Sequence, residues 1–334
     1  MTRQARLRTS DPGGAGYRRV RCGRGFRYLD PAGRTVPPGE ARDRIRALAV
    51  PPAWRDVWIC PWPDGHLQAT GTDAAGRRQY LYHQRFRALR EAAKHDHARE
   101  VSTALPRLRA AVERDLASRG LTRTRVLACA TRLLDLGFFR VGSQAYVRDN
   151  STYGLTTLRR EHVDCGRGEI CFHYPAKNGT ERTCRVTDPA ARTAVRSLLR
   201  RRDTGPALFA YWEGRAWHEL RATDLNDYLR DRSGAEMTAK DFRTWNATVL
   251  AAVALAVSRR AEAPRRAVTR AVREVSAYLG NTPAVCRASY IDPRVVESYE
   301  RGRTIAPALE GLGARPGRPA IQGPVEEAVR RLLA

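Results

Sequence analysis

GNTPAVCRASYIDPRVVESY, residues 280–299, holds two helix starts with one tyrosine between them. Gly280 closes a long apolar-periodic segment in the way a left-handed glycine closes a helix. Thr282-Pro283 reads as an N-cap followed by proline at the first helical position, and Asp292-Pro293 repeats that signature. Tyr290 is thereby predicted at a break between helices. Inside a regular helix a tyrosine packs along one face, whereas at a break it can be aimed out of the fold at a reactant. An isolated tyrosine is far more often a packing residue, so its meaning depends on the residues around it.

Composition narrows the partner. The chain has 334 residues, 60 of them Lys or Arg against 35 Asp or Glu, for a net charge of +25. That excess calls for a polyanion, and nucleic acid fits best because neutralising phosphates releases counterions. A membrane role would want a lipid anchor or a basic amphipathic helix. No lipidation motif is present, and the longest apolar run, ATVLAAVALAV at residues 247–257, is too short to span a bilayer and reads as a buried helix. The N-terminus is polar and arginine-rich, without a signal-peptide pattern. The seven cysteines are odd in number and contain no CxxC pair, which argues against a disulfide framework or zinc site and for reduced thiols. The expected location is the cytoplasm, on nucleoid DNA. Of the 60 basic residues only Lys94, Lys177 and Lys240 are lysines. A lysine kept against such an arginine bias is a candidate for what arginine cannot do, which is to give up a proton.

In chain order, residues 1–22 are basic and aperiodic and are expected to form a flexible arm. Residues 23–88 are expected to form a β-rich domain: a hairpin around Asp30–Gly33, a helix over 40–48, then strands over 56–60, 66–70 and 77–83 separated by turns. The third strand interleaves Arg77, Arg78, Gln79, Tyr80 and Tyr82, a mixture suited to DNA backbone and base edges. Residues 89–334 are expected to be mainly helical. His95-Asp96-His97 reads as surface, since His at i and i+2 diverge around a helix. Helices over 101–119 and 124–136 lead to Phe138-Phe139-Arg140, which should hold Arg140 rigidly. Strands over 154–163, 169–174 and 180–186 follow, with Lys177-Asn178-Gly179 at a hairpin tip. The remainder reads as helical: from Asp188-Pro189, from Thr223, from the capping box Thr238–Asp241, and from Pro324. The capping box places Lys240 and Arg243 on one first helical turn, where an anion is favoured.

Arg140, Lys177, Lys240, Arg243, Asn281 and Tyr290 together suit a phosphodiester. Two guanidiniums hold its non-bridging oxygens, an amide adds a donor, and the phenol attacks. Because a phenol is also a fair leaving group, the covalent phosphotyrosine conserves the bond energy and the strand can be resealed without ATP. No P-loop and no acidic cluster for Mg²⁺ accompanies these residues, so no cofactor or metal is expected.

The stretch VPPAWRDVWICPWPDGHLQATGTDAAGRRQYLYH at 50–83, followed in order by FFRVGSQAY, GLTTLRREHV, YPAKNG, TAKDFRTWN and GNTPAVCRASYIDP, resembles the type IB DNA topoisomerases of bacteria and poxviruses. The resemblance covers roughly residues 15–300. It implies an α+β fold: a small β-rich N-terminal domain and a mainly α-helical catalytic domain with a three-stranded sheet, closing as a monomeric C-shaped clamp on double-stranded DNA. It implies Tyr290 as nucleophile, Arg140 and Arg243 as phosphate clamps, Lys177 as general acid with Lys240 assisting, and Gln79, Tyr80, Tyr82 and Tyr146 as DNA contacts. Where poxvirus enzymes carry histidine this chain has Asn281, which can donate to phosphate but cannot become cationic. The alternatives are a tyrosine recombinase and a catalytically dead architectural protein. A recombinase usually has histidine where Lys240 stands, a helical N-terminal domain and a tetrameric assembly. A dead architectural protein would not retain candidates at every catalytic position. With +25 net charge, affinity for duplex DNA is predicted to fall steeply between low and physiological ionic strength in a fluorescence-anisotropy titration; a flat salt dependence would contradict phosphate-driven binding.

Overall fold

The computed structural model describes residues 6–258, 263–310 and 321–334, in two compact units, 1–94 and 95–334. The first five residues of the expected arm lie outside the described residues. In the first unit β1 (Tyr17–Cys22), β2 (Gly25–Leu29), β3 (Arg55–Ile59), β4 (Leu67–Thr72) and β5 (Arg78–Tyr82) form one antiparallel sheet in the order β2-β1-β3-β4-β5, with α1 (Glu40–Ala47) between β2 and β3 in sequence. Its core is small: Ile45 of α1 meets Val57, Ile59 and Ala69. Part of the segment read as an arm is therefore structured. Tyr17–Cys22 pairs with β2 through a tight turn at Gly23, whose φ of 56° suits glycine. Arg8 bridges Gly65 and Ser10 is buried. The Asp30–Gly33 turn does exist, capped by the Asp30 carboxylate, but it returns only Thr35 onto Leu29.

The helix α2 (Gln84–Ser102) runs out of the first unit into the second. There follow α3 (Leu105–Leu116), α4 (Arg123–Gly137), α5 (Gln144–Asn150), β6 (Val163–Cys165), β7 (Ile170–Ala176), β8 (Thr180–Val186), α6 (Pro189–Leu199), β9 (Ala210–Glu213), β10 (Ala216–Glu219) and α7 (Ala222–Ser233). The chain then continues through α8 (Ala239–Ala256), α9 (Pro264–Leu279), α10 (Pro283–Ser289), α11 (Pro293–Glu300), α12 (Ala306–Leu309) and α13 (Pro324–Leu332). The mixed architecture is the one expected, an N-terminal sheet and a helical unit with a three-stranded antiparallel sheet, β6-β7-β8. Three local readings need correction. Residues 155–162 form two short 3₁₀ turns, and extended pairing begins only at Val163. The hairpin β9–β10 breaks the stretch read as helical, with Trp217 opposite Trp212. His95 is buried at 4% exposure rather than superficial, while Asp96 pairs with Arg294 at 2.9 Å and His97 lies 3.6 Å from Asp241.

Helix α8 is the centre of the second unit, apolar nearly all round and buried from Ala239 to Leu255 except at a few positions, as its composition requires. Its capping box forms as read, with Asp241 accepting from the Thr238 amide and hydroxyl at 2.8 Å each. The C-terminal α13 is fastened to this core by a buried ionic cluster. Arg109 of α3 forks to Asp135 of α4 and to Glu326 of α13, Trp245 Nε1 donates to Glu326, and Gln322 Nε2 donates to Asp135. Burial works against the Arg109 charge, but the two carboxylates more than reverse it and hold the guanidinium above its ordinary proton affinity. Removing the cation would strand two buried anions, a loss of about 3–5 kcal/mol. Arg109→Met is therefore predicted to lower the calorimetric Tm by on the order of 10 °C, and adding Asp135→Asn and Glu326→Gln should recover part of it. An unchanged Tm in the single variant would show that the cluster holds nothing.

Candidate active site

Each end of the stretch at 280–299 is built by local rules. Gly280 takes φ 61° and closes α9, and Thr282 caps α10 by accepting from the Val285 amide. Asp292 caps α11 by accepting from Arg294, and Tyr290 is left as the C-cap residue of α10 at φ −130°. The backbone around the tyrosine is held against α8: Thr248 Oγ1 accepts from the Asp292 amide at 3.1 Å and shares its proton between the Thr244 carbonyl at 2.9 Å and the Tyr290 carbonyl at 3.3 Å.

Arg140 is positioned by packing on either side. Phe138 ends α4 in a left-handed conformation, and Phe139, fully buried, meets Phe172 edge-on at 5.0 Å. Just beyond, two glycines cross: a Cβ on Gly154 would stand 2.5 Å from the Gly142 nitrogen and 2.7 Å from the Arg140 carbonyl oxygen. That approach lets the Leu155 amide donate to the Arg140 carbonyl at 2.7 Å. Arg243 comes from the first turn of α8 and is buried at 4% exposure.

These elements bring Arg140, Arg243, Asn281 and Tyr290 together. The Arg243 guanidinium lies 5.3 Å from the Tyr290 ring centre. Arg243 Nη2 donates to Leu279 O at 2.9 Å, and its Nη1 donates to the Phe138 carbonyl. Arg140 Nη2 donates to Gly280 O at 3.0 Å and to the side-chain oxygen of Asn281. By occupying that oxygen, Arg140 sets which way the amide points, and the buried Asn281 Nδ2 is turned toward the Tyr290 phenol, with no other partner. Arg243 Nε is likewise unpartnered. Buried donors gathered around the phenol oxygen of Tyr290 favour negative charge at that place.

A further arginine, one that no motif marks, joins them. Arg182 of β8 donates Nη2 to Tyr278 O at 2.5 Å, and its charge lowers the proton affinity of both Arg140 and Arg243. It sits in an alternating, arginine-rich strand with no motif to set it apart. Among the described residues, none of Arg140, Arg182 and Arg243 forms an ion pair with a carboxylate. Burial first, then repulsion from Arg140, pulls Arg243 down to about 10. Burial acts to raise the Tyr290 phenol, but Arg243, Arg140 and Asn281 together outweigh it and hold the phenol below its ordinary value. A cationic pocket without acids does not suit a divalent metal; it suits an oxyanion, with the cations already in place.

The structure does not bring the lysines into this cluster. Lys177 is exposed on the 3₁₀ turn joining β7 and β8, and Lys240 is exposed on the first turn of α8. Neither side chain has a hydrogen bond or ion pair among the described residues. Tyr146 is 50% exposed on α5, a helix with no buried residue. In the first unit Tyr80 and Tyr82 stack at 6.1 Å on one face of β5, an edge strand, and are 50% and 38% exposed. Strand alternation turns Gln79 to the opposite face, where its amide donates to Asp73 at 2.8 Å.

Two family models match this chain: "Eukaryotic DNA topoisomerase I, catalytic core" over residues 83–305, and "Bacterial DNA topoisomerase IB, N-terminal domain" over residues 25–73. The chain belongs to the type IB DNA topoisomerase family, an isomerase family, and the recombinase reading is not favoured. It is 28% identical to DNA topoisomerase 1B of Acanthamoeba polyphaga mimivirus over 269 residues, covering 77% of this chain and 80% of that protein. It is 21% identical to DNA topoisomerase 1B of vaccinia virus (strain Copenhagen) over 278 residues, 81% of this chain and 84% of that one. DNA topoisomerase 1 beta of Arabidopsis thaliana is 27% identical over 158 residues, 47% of this chain but 16% of the plant protein.

The electrostatics of the site give a direct prediction. The difference between ultraviolet titrations of the wild type and Tyr290→Phe should show one phenol ionising below the usual value near 10. In an Arg243→Ala background, where burial is less opposed, it should move upward. An unshifted phenol in both backgrounds would mean that Arg243 does not act on Tyr290.

Proposed function

We propose that this topoisomerase relaxes supercoiled duplex DNA by cutting and resealing one strand through a 3′-phosphotyrosyl intermediate, with neither ATP nor metal. The observation that carries the reading is the buried, acid-free guanidinium cluster around Tyr290. In cleavage the Tyr290 oxygen attacks phosphorus in line, forming the O–P bond as the P–O5′ bond breaks; the phenol proton goes to solvent. Arg140 and Arg243 compensate the negative charge that grows on the non-bridging oxygens, and the amide of Asn281, released from the phenol as its oxygen bonds to phosphorus, donates to one of them. Lys177 delivers a proton to the departing 5′-oxygen, assisted by Lys240. Resealing is the reverse: the 5′-hydroxyl attacks, and the phenoxide leaves toward Arg243. Between the two steps the DNA swivels about the uncut strand, driven by torsion alone.

The remaining roles follow the same reading. The sheet of residues 23–88 binds DNA through Tyr80 and Tyr82, with Gln79 contributing its free carbonyl oxygen, and residues 89–334 carry the chemistry with Tyr146 as a further contact. We take the protein to act as a monomeric clamp on duplex DNA in the cytoplasm, associated with the nucleoid.

Plasmid relaxation in EDTA without nucleotide tests the reaction: both positive and negative supercoils should be removed, and an absolute requirement for Mg²⁺ would sink the proposal. Tyr290→Phe should bind DNA about as tightly as the wild type and form no detergent-trapped adduct. Lys177→Arg should cleave about 10²–10⁴ times more slowly despite keeping its charge, because guanidinium is a poor proton donor. Undiminished single-turnover cleavage by Lys177→Arg would remove the lysine from proton transfer.

A further inference from the structure

At the C-terminus of α9 the amides of Gly280 and Asn281 turn back onto Ala277 O and Ser276 O. The carbonyls of Tyr278, Leu279 and Gly280 face away from the helix ladder, at the end where the helix dipole favours cations. Each takes a guanidinium from a different element. Arg182 of β8 donates to Tyr278 O at 2.5 Å, Arg243 of α8 donates to Leu279 O at 2.9 Å, and Arg140, after α4, donates to Gly280 O at 3.0 Å. The Arg182 guanidinium also covers the bare face of Gly280: a Cβ there would stand 2.3 Å from Arg182 Nη1. Glycine suits 280 for its φ of 61°, and the Arg182 guanidinium lies over its open face.

Two of the three arginines belong to the phosphate site proposed above. The third belongs to the hairpin β7–β8, in which Arg182 is registered opposite Tyr174 and whose connecting turn carries Lys177. That hairpin is also seated through Phe172 and Tyr174 against Phe139, by the Tyr153 amide donating to Pro175 O at 2.8 Å and by Cys184 Sγ donating to Gly137 O at 3.3 Å. Arg182 alone among the site arginines joins the strand next to the lysine to the turn that seats the phosphate clamps. We propose that Arg182 is a positioning residue for strand cleavage: by holding the Tyr278 carbonyl it fixes the Lys177 hairpin against the turn at 278–281, so that the lysine ammonium reaches the bridging 5′-oxygen of the phosphodiester whose non-bridging oxygens Arg140 and Arg243 hold. The inference rests on the reading of Lys177 as the general acid, and it adds no new chemical step. The proton still passes from Lys177 to the 5′-oxygen as the P–O5′ bond breaks; Arg182 decides how often the lysine stands within reach.

The test uses full-length protein and single-turnover cleavage of a duplex whose leaving group is either the natural 5′-oxygen or a bridging 5′-sulfur, which departs without needing a proton. Arg182→Ala should cleave the oxygen substrate about 10–100 times more slowly, a part of the range that general acid catalysis spans, and should come within a few-fold of the wild type on the sulfur substrate. Lys177→Ala should behave in the same way and Arg243→Ala should gain nothing from sulfur. If Arg182→Ala does not fold, Arg182→Lys, which keeps a donor but not the fork, is read by the same criterion, with a smaller oxygen defect that sulfur again removes. No defect on the oxygen substrate would overturn the inference. So would a defect that sulfur leaves in place, since Arg182 would then be acting on the phosphate. Rescue of Lys177→Ala without rescue of Arg182→Ala overturns this inference alone, whereas rescue of neither overturns the general-acid reading and takes the inference with it.

Discussion

The site depends on how one helix ends. A C-terminal turn leaves carbonyl oxygens without partners, and in α9 those oxygens are used to hold Arg182, Arg243 and Arg140 side by side without a carboxylate to neutralise them. Carbonyl dipoles orient a guanidinium but do not cancel its charge, so the cluster keeps an unmet demand for an anion. Burial sharpens that demand: it lowers the proton affinity of Arg140 and Arg243, and the same cations overcome the effect of burial on Tyr290. On the function proposed above, an incoming phosphate would relieve the repulsion among the cations, most of all when its oxygens carry the added charge of the transition state. The electrostatic work is therefore done when the protein folds, before DNA arrives.

Such a cluster needs a rigid frame. Tyr290 is fixed through its backbone by Thr248, Arg140 by the crossing of Gly142 and Gly154, and Arg243 by its place in the buried first turn of α8. The C-terminal α13 belongs to this frame. Through Glu326 it meets both Arg109 and Trp245, and Trp245 lies on α8 two positions beyond Arg243. In contrast to the arginines around Tyr290, Arg109 is matched by two carboxylates, so that its charge is neutralised within the fold.

Much of this was legible in the sequence where the rule is local. The break at Tyr290 follows from Gly280, Thr282-Pro283 and Asp292-Pro293, and all of these act as their types dictate. The capping box at Thr238 and the hairpin turn at Lys177 are read in the same way. What escaped was set by distant partners. Tyr17–Cys22 is polar and basic and becomes a strand only because β2 and β3 pair with it. His95 is buried although its neighbours in sequence are polar. Arg182 carries no local mark, since its significance is the carbonyl of Tyr278, 96 positions away in sequence. Gln79 and the tyrosines beside it were grouped by sequence adjacency, and the pleat divides them between two faces.

On the function proposed above, the cationic cluster delivers the Tyr290 oxygen to a DNA phosphorus. Trypsin cleavage after Arg287 and Arg294 releases ASYIDPR, residues 288–294, whose one tyrosine is Tyr290. The most direct measurement is to trap the reaction with detergent, digest the DNA to a single nucleotide and the protein with trypsin, and weigh the peptides. The account predicts that peptide 288–294 gains the mass of one nucleotide joined through its 3′-phosphate. A nucleotide on any other peptide, or a 5′-linkage on this one, would contradict it.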